Sequence, residues 1–134
     1  MATVKIWSDA EAEADPRVKA VFDDIRATRK TDFVNNVWRA LASQPAVLET
    51  TWAQVKAVMA TESALDPLTK ELIYMAVSVA NGCSYCAHSH TAGARAKGMT
   101  EAQYQDFLAV IGLASQTNAL VTALQVPVDP EFEV

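Results

Sequence analysis

The sequence has few of the residues that mark a secreted, linker-rich or nucleic-acid-binding protein. With 4 Gly and 5 Pro in 134 residues, long flexible linkers are not expected. Its 11 basic side chains are outnumbered by 16 acidic ones, and the net charge of −5 argues against binding to nucleic acid. The N-terminal stretch MATVKIWSDAEAEADP lacks the apolar run of a secretory signal, so we expect a cytoplasmic protein. The apolar segment LIYMAVSVA is too short to span a bilayer, so we expect no membrane partner.

The composition is that of a folded globular protein. Apolar residues make up 51% of the chain and charged residues 20%, which is globular rather than disordered. A chain of this length fits one domain with an ordinary hydrophobic core. We therefore predict a single domain over residues 1–134. Its high apolar content also predicts uncovered apolar surface and hence a homo-oligomer.

The apolar pattern is helical throughout, because no run alternates apolar and polar residues long enough for a strand. Asp15-Pro16 and Asp66-Pro67 are typical of an N-cap followed by proline at the first helical position. Thr100 and Gln103 are spaced as a capping box, and Asn81-Gly82 is a helix stop. We predict an all-α, single-domain bundle of about six helices, with an antiparallel helix pair carrying the Cys-x-x-Cys motif.

The predicted helices differ in how much of their surface is apolar. The fourth is apolar nearly all round from Leu72 onwards, so we expect it to be buried on most sides. The tail PVDPEFEV is expected to be extended or frayed. The six helices are predicted over about 16–28, 34–41, 45–59, 67–80, 83–97 and 100–124.

The segment NGCSYCAHSH holds both cysteines and both histidines of the chain. Covalent haem attachment would need histidine directly after the second cysteine, where Ala87 stands. Zinc is disfavoured because Cys83, Cys86, His88 and His90 lie within eight residues, and one helix cannot surround a tetrahedral ion. A zinc site would need ligands from a partner chain. We therefore predict neither a bound metal nor a cofactor.

A redox centre fits this segment better. Cys83, Cys86 and His90 are spaced 0, 3 and 7, so they share one helical face. Two cysteines in the first turn of a helix can form a disulfide, and the positive end of the helix dipole favours the reactive thiolate. His90, one turn after Cys86, can exchange a proton with that sulfur.

Glu71 is a candidate partner for this group. It lies eleven residues before Gly82, and His90 lies eight after it. If the two helices fold back antiparallel, the offset is three residues, or about 4.5 Å. A glutamate side chain, or one bridging water, covers that gap. The alternative is a solvated glutamate near a helix N-terminus, where a carboxylate is mildly favoured.

The spacing of Glu71, Cys83, Cys86 and His90 resembles the signature of the alkylhydroperoxidase D-like proteins of the carboxymuconolactone decarboxylase superfamily. The segments LTKELIYMAVSVANGCSYCAHSH and VWRALASQPAVLETTW resemble the helices of that family, so the likeness covers roughly residues 35–124. The resemblance implies an all-α fold, a homo-oligomer (trimer or hexamer) and reduction of a small hydroperoxide through a cysteine pair. It also implies a thiol or lipoyl-type reductant protein as partner.

The resemblance further implies residue roles. Cys86 would attack the peroxide, Cys83 would resolve the intermediate, and Glu71 and His90 would relay a proton. Some relatives have histidine between the cysteines, where this chain has Tyr85. His88 has no counterpart in the signature and is interpreted as a surface residue.

Two other functions remain open at this point. The first is decarboxylase-type lactone chemistry, with Glu71 and His90 as acid and base. The second is a non-enzymatic oligomeric scaffold that senses redox state or binds zinc. Family members that decarboxylate lactones generally lack the cysteine pair, which favours redox chemistry here.

Overall fold

The computed structural model describes residues 1–133, which are all-α with no strand in that range. The predicted fold class is confirmed. A π-helical turn, Lys56–Ala60, follows α4, and a 3-10 turn, Pro130–Phe132, lies near the C-terminus. The seven α-helices are α1 (Asp9–Glu13), α2 (Pro16–Arg29), α3 (Asn36–Leu41), α4 (Pro45–Val55), α5 (Pro67–Ala80), α6 (Ser84–Ala96) and α7 (Glu101–Leu124).

The helices form two compact units, of which the first comprises residues 1–63 and contains α1 to α4. Its core is built on α2, whose Val18, Phe22 and Ile25 are fully buried. Trp38 and Trp52 meet edge to face, with ring centroids 5.3 Å apart, an arrangement that aromatic quadrupoles favour. Both tryptophans are therefore part of the buried core of this unit.

The second unit begins at Ala64 and carries the Cys-x-x-Cys motif. The α5 helix starts at the Asp66 side chain, which accepts the backbone N–H of Thr69 at 3.0 Å. It ends at Asn81, and Gly82 then turns the chain with φ of 67°, a left-handed conformation that glycine adopts without steric cost. This tight turn brings α6 back along α5, and these two helices make the most extensive contact in the chain.

The core of this unit is small. Its buried apolar residues are Met75, Ala94 and Met99, against which side chains from α5 and α7 pack. The α7 helix begins with the predicted capping box, in which Thr100 and Gln103 exchange hydrogen bonds of 3.1 and 2.8 Å. The partly buried side chains around this core are Leu68, Leu72, Tyr104 and Phe107.

The expected burial of the fourth predicted helix is wrong for the single chain. The α5 helix is not covered on most sides, because Ile73, Val77 and Val79 are each about half exposed. No residue of α7 is buried, although this helix is rich in apolar side chains. Helical periodicity identifies the apolar faces, but it does not say which neighbour covers them.

By length and composition alone, α7 could also cross a membrane. Its mean hydropathy reaches 1.6 over an 18-residue window. It is the one such helix in the part of the chain that the structure describes. The segment LIYMAVSVA, in contrast, lies within the shorter α5 and contributes Met75 to the core.

The helix boundaries depart from the sequence prediction at a few places. The structure has one more helix than the six predicted, since a short α1 is capped by Ser8 and Glu11. The α3 helix starts at Asn36, so the buried Val34 precedes it. Met59 lies in the π-helical turn and is only partly buried. The described part of the C-terminal tail has no regular structure apart from its one 3-10 turn, in keeping with the expected extended or frayed tail, and all of it is exposed.

Candidate redox site

The two cysteines lie at the start of α6. Cys83 is the N-cap residue of this helix, and Cys86 lies in its first turn. The backbone N–H of Cys83 donates to the carbonyl of Ser78 at 2.9 Å, which ties the α6 start to the α5 end. Cys83 and Cys86 form a disulfide, with Cα atoms 5.3 Å apart, within the usual range. Both residues are half-buried, so solvent reaches this end of the helix.

The sulfurs of Cys83 and Cys86 have different surroundings at the N-terminus of α6. The backbone N–H of Cys86 donates to Cys83 Sγ at 3.3 Å, as an N-cap side chain normally receives an amide. Amide donors and the positive end of a helix dipole stabilise a thiolate. Cys83 therefore occupies the position where a negative sulfur is stabilised when the disulfide is opened.

Glu71 and His90 are in direct contact. The Nδ1 atom of His90 lies 2.6 Å from Oε2 of Glu71, so no bridging water is needed. Glu71 is buried, with 5% of its surface exposed, which rules out the alternative of a solvated glutamate. With Nδ1–H donating to the carboxylate, a neutral His90 has its free lone pair on Nε2. That nitrogen is then the one able to accept a proton.

The other oxygen of Glu71 binds a lysine. Lys97, the C-cap residue of α6, places Nζ 2.5 Å from Oε1. Burial raises the pKa of Glu71, but the hydrogen bonds and positive charges of His90 and Lys97 outweigh that effect and hold the pKa below its usual value. Glu71 is therefore a carboxylate at neutral pH, with each oxygen held by a side chain of α6.

Two further residues shape the surroundings of this pair. Gly93 faces the carboxylate so closely that a Cβ atom there would lie 3.0 Å from Oε1 of Glu71. Tyr74, one turn after Glu71 on α5, stacks on the His90 ring with centroids 3.6 Å apart and planes at 20°. The imidazole is thus held by a hydrogen bond at its edge and by a phenol ring on its face.

A shallow depression of about 240 Å³ opens at the surface beside Cys83. Its lining is mostly apolar, and it lies between the end of α5 and the start of α6. A small molecule or a side chain of another protein can approach the disulfide from this side. The lining residues are Ser78, Val79, Gly82, Cys83, Ser84 and Ala87.

The structure thus joins the candidate residues in two pairs, Cys83 with Cys86 and Glu71 with His90. His90 follows Cys86 by one helical turn. His88 is exposed, with Nδ1 2.8 Å from the carbonyl of Ser84, in keeping with a surface role. Within residues 1–133, no group of three or more His, Cys, Asp or Glu side chains is arranged to hold a metal ion.

Sequence reasoning missed Lys97, Gly93 and Tyr74. A signal for Lys97 was present, because it follows His90 by seven residues and so lies on the same helical face. Tyr74 follows Glu71 by three residues on α5, which also predicts a shared face. Gly93 offered no such signal, since the approach of a carboxylate depends on how two helices pack.

The protein is all-α, with a Cys-x-x-Cys disulfide at a helix N-terminus and a buried glutamate hydrogen-bonded to a histidine. These features define a class of small helical proteins with a disulfide-forming site. Comparison with known proteins identifies the family. The chain belongs to the carboxymuconolactone decarboxylase family, whose sequence profile matches residues 45–129. The resemblance to the alkylhydroperoxidase D-like branch is confirmed by the relatives described next.

A solved structure of the alkylhydroperoxidase AhpD core from Rhodospirillum rubrum ATCC 11170 is 69% identical, with a TM-score of 0.98 over 100% of this chain and 98% of that one. Alkyl hydroperoxide reductase AhpD of Anaeromyxobacter dehalogenans (strain 2CP-C) is 31% identical over 90% of this chain and 62% of its own length. The AhpD of Solibacter usitatus (strain Ellin6076) is 42% identical over 48% of this chain and 35% of its own. The chain therefore spans less than two thirds of these curated relatives.

Proposed function

We propose that this protein is a thiol-dependent peroxidase that reduces a small hydroperoxide through Cys83 and Cys86. The observation that carries the proposal is a disulfide at a helix N-terminus, with a buried, ionised glutamate bound to the histidine one turn further on. The names of the relatives support the same activity, since they are alkyl hydroperoxide reductases or an alkylhydroperoxidase.

The oxidative half-reaction begins with reduced cysteines. His90 takes the proton of the Cys86 thiol on Nε2, while Glu71 holds Nδ1–H and stabilises the imidazolium that forms. The thiolate attacks the terminal oxygen of the hydroperoxide and breaks the O–O bond. The leaving alkoxide takes the proton from the His90 imidazolium to become an alcohol, and Cys86 becomes a sulfenic acid.

The resolving step uses Cys83. Its sulfur attacks the sulfenic sulfur of Cys86, forming the disulfide and releasing one water molecule. The 5.3 Å between the two Cα atoms suits this bond without moving the backbone.

The reductive half-reaction needs two electrons from outside. We propose a dithiol donor of the thiol or lipoyl type, whose thiolate attacks the Cys86 sulfur and forms a mixed disulfide. Cys83 leaves as a thiolate, accepting the amide hydrogen bond from Cys86. The second thiol of the donor then closes the donor's own disulfide and restores the Cys86 thiol.

Peroxide consumption with a dithiol or lipoyl reductant tests the proposal, using Cys86→Ser and Cys83→Ser beside the wild type. Cys86→Ser is expected to abolish consumption. Treated with peroxide in the absence of the reductant, Cys83→Ser is expected to react once and stop as a sulfenic acid. Equal consumption by wild type and Cys86→Ser would refute the role of Cys86.

Two other functions predict different results. Lactone decarboxylation by Glu71 and His90 would survive replacement of both cysteines by alanine. A non-enzymatic zinc scaffold would show stoichiometric zinc with thiols that do not react with peroxide. Thiol titration before and after peroxide, together with metal analysis, separates these outcomes.

We also propose that the protein is a homo-oligomer, a trimer or hexamer. The half-exposed apolar side chains of α5 and the uncovered α7 support this, because a monomer rarely exposes so much apolar surface. In this proposal α7 packs against another subunit rather than a bilayer. Light scattering of the purified protein, without detergent, measures the subunit number.

A single domain and a cytoplasmic location stay predictions.

A further inference from the structure

The Glu71 carboxylate has more contacts than the proposed proton relay requires. One oxygen binds His90 at 2.6 Å, and that contact alone would orient the imidazole. The second oxygen binds Lys97 Nζ at 2.5 Å. Gly93, between these two residues on α6, leaves room for the carboxylate where any side chain would crowd it. Three positions on one helix are thus matched to one buried acid on its neighbour.

The contact with Lys97 has an energetic role that His90 cannot fill. A buried carboxylate tends to take up a proton, since its charged form is poorly solvated. A protonated Glu71 could donate to His90 Nδ1 and would leave the proton-accepting lone pair on the wrong nitrogen. Lys97 keeps a positive charge on the second oxygen whether or not His90 is charged. Its side chain is about one third exposed, so the ammonium group itself stays partly solvated.

We infer that Lys97 is a positioning residue, which keeps Glu71 ionised and directed at His90 throughout the reaction. This inference rests on the proposed function, in which Glu71 and His90 serve Cys86. The proposed role of Lys97 involves no contact with either sulfur. It acts through Glu71, and its effect is seen in the protonation of that carboxylate.

The charges that act on Glu71 in the described structure both come from α6, namely His90 and Lys97. The other helix that packs on α5 is α7, and its Tyr104 contacts Arg95, whose guanidinium lies 5.3 Å from the ring centroid. Arg95 therefore provides a matched control, because it is a cation in the last turn of α6 that contacts Tyr104, whereas the cationic groups acting on Glu71 are His90 and Lys97.

The test is a carboxyl ¹³C NMR titration of glutamate-labelled protein, with the Glu71 signal assigned by its loss in Glu71→Gln. Lys97→Met is expected to raise the pH at which Glu71 titrates by about one unit, the size of effect that one close opposite charge produces. Lys97→Arg should restore most of the shift, and Arg95→Met should leave the titration unchanged. Equal titrations in wild type and Lys97→Met would overturn the inference, as would equal shifts in Lys97→Met and Arg95→Met.

Peroxide rates between about pH 4 and 8 then separate this inference from the proposed function. If both are correct, the fall in rate on the acid side of the profile occurs at higher pH in Lys97→Met than in the wild type. In a Glu71→Gln background, Lys97→Met should cause no further change in the rate profile. A shifted titration in a protein that consumes no peroxide would uphold the pairing of Lys97 with Glu71 and refute the peroxidase. An unshifted titration in an active enzyme would do the reverse.

Discussion

Replacing Gly93 with alanine should impair the site without unfolding the helix. The added Cβ would lie 3.0 Å from Oε1, 3.1 Å from Cδ and 3.2 Å from Oε2 of Glu71. Ordinary contacts at such a position begin at 3.4 Å, so the carboxylate must move by a few tenths of an ångström. It cannot do so freely, because hydrogen bonds to His90 and Lys97 hold both of its oxygens.

Two opposing effects on the free energy of unfolding follow. Alanine is favoured over glycine inside a helix by about 0.8–1 kcal/mol, which stabilises the variant. Displacing a charge-assisted hydrogen bond costs up to about 1.5–3 kcal/mol, but a small shift loses only part of this. We expect the two to nearly cancel. A misplacement of about 1 Å costs on the order of 100-fold in rate, so a few tenths should cost about 3- to 10-fold.

Gly112→Ala is the matched control. Gly112 also lies inside a helix, and a Cβ there meets nothing within 4 Å in the chain. In protein that light scattering shows to keep the wild-type subunit number, this change should raise the free energy of unfolding by about 0.8–1 kcal/mol and leave the peroxide rate unchanged. Urea unfolding, light scattering and peroxide kinetics of both variants provide the comparison. The reasoning is refuted if Gly93→Ala gains as much stability as Gly112→Ala and keeps the full rate.

Three further variants test the structure around the site. Because the pKa of Glu71 is lowered from 4.5, its ionised form stabilises the fold above that pH, and this contribution is lost as pH falls further. The stability gap between wild type and Glu71→Gln, from urea unfolding at several pH values, should therefore be constant near neutrality and shrink below about pH 4.5. Gly82→Ala should cost about 1 kcal/mol in the same assay, since alanine must adopt a φ of 67°. Thr100→Ala should also cost about 1 kcal/mol by removing the acceptor for the Gln103 amide.

Helix starts and stops were predictable because their chemistry is local. An aspartate before a proline, or a threonine three residues before a glutamine, satisfies backbone amides whatever the rest of the chain does. The same chemistry was present for α1, where Ser8 and Glu11 form a capping box, yet no strong apolar repeat follows it. A capping box without an apolar repeat after it therefore does not predict this short helix.

The contact between Glu71 and His90 was predictable by counting, since two antiparallel helices around a tight turn have a known rise per residue. The contact with Lys97 and the space at Gly93 were not, because both depend on side-chain rotamers and on how closely α5 and α6 pack. Burial of α5 was overpredicted for a related reason. An apolar helix face predicts that the face is buried, but the surface that buries it can belong to another molecule.

Trapping the first product of the reaction tests the central claim most directly. Reduced Cys83→Ser protein, treated with one equivalent of hydroperoxide and a sulfenic-acid reagent such as dimedone, is digested and analysed by mass spectrometry. One adduct is expected, on Cys86. It should form faster in the Cys83→Ser variant than in the double variant that carries both Cys83→Ser and Glu71→Gln. An unmodified Cys86, or an adduct whose rate does not depend on Glu71, would contradict it.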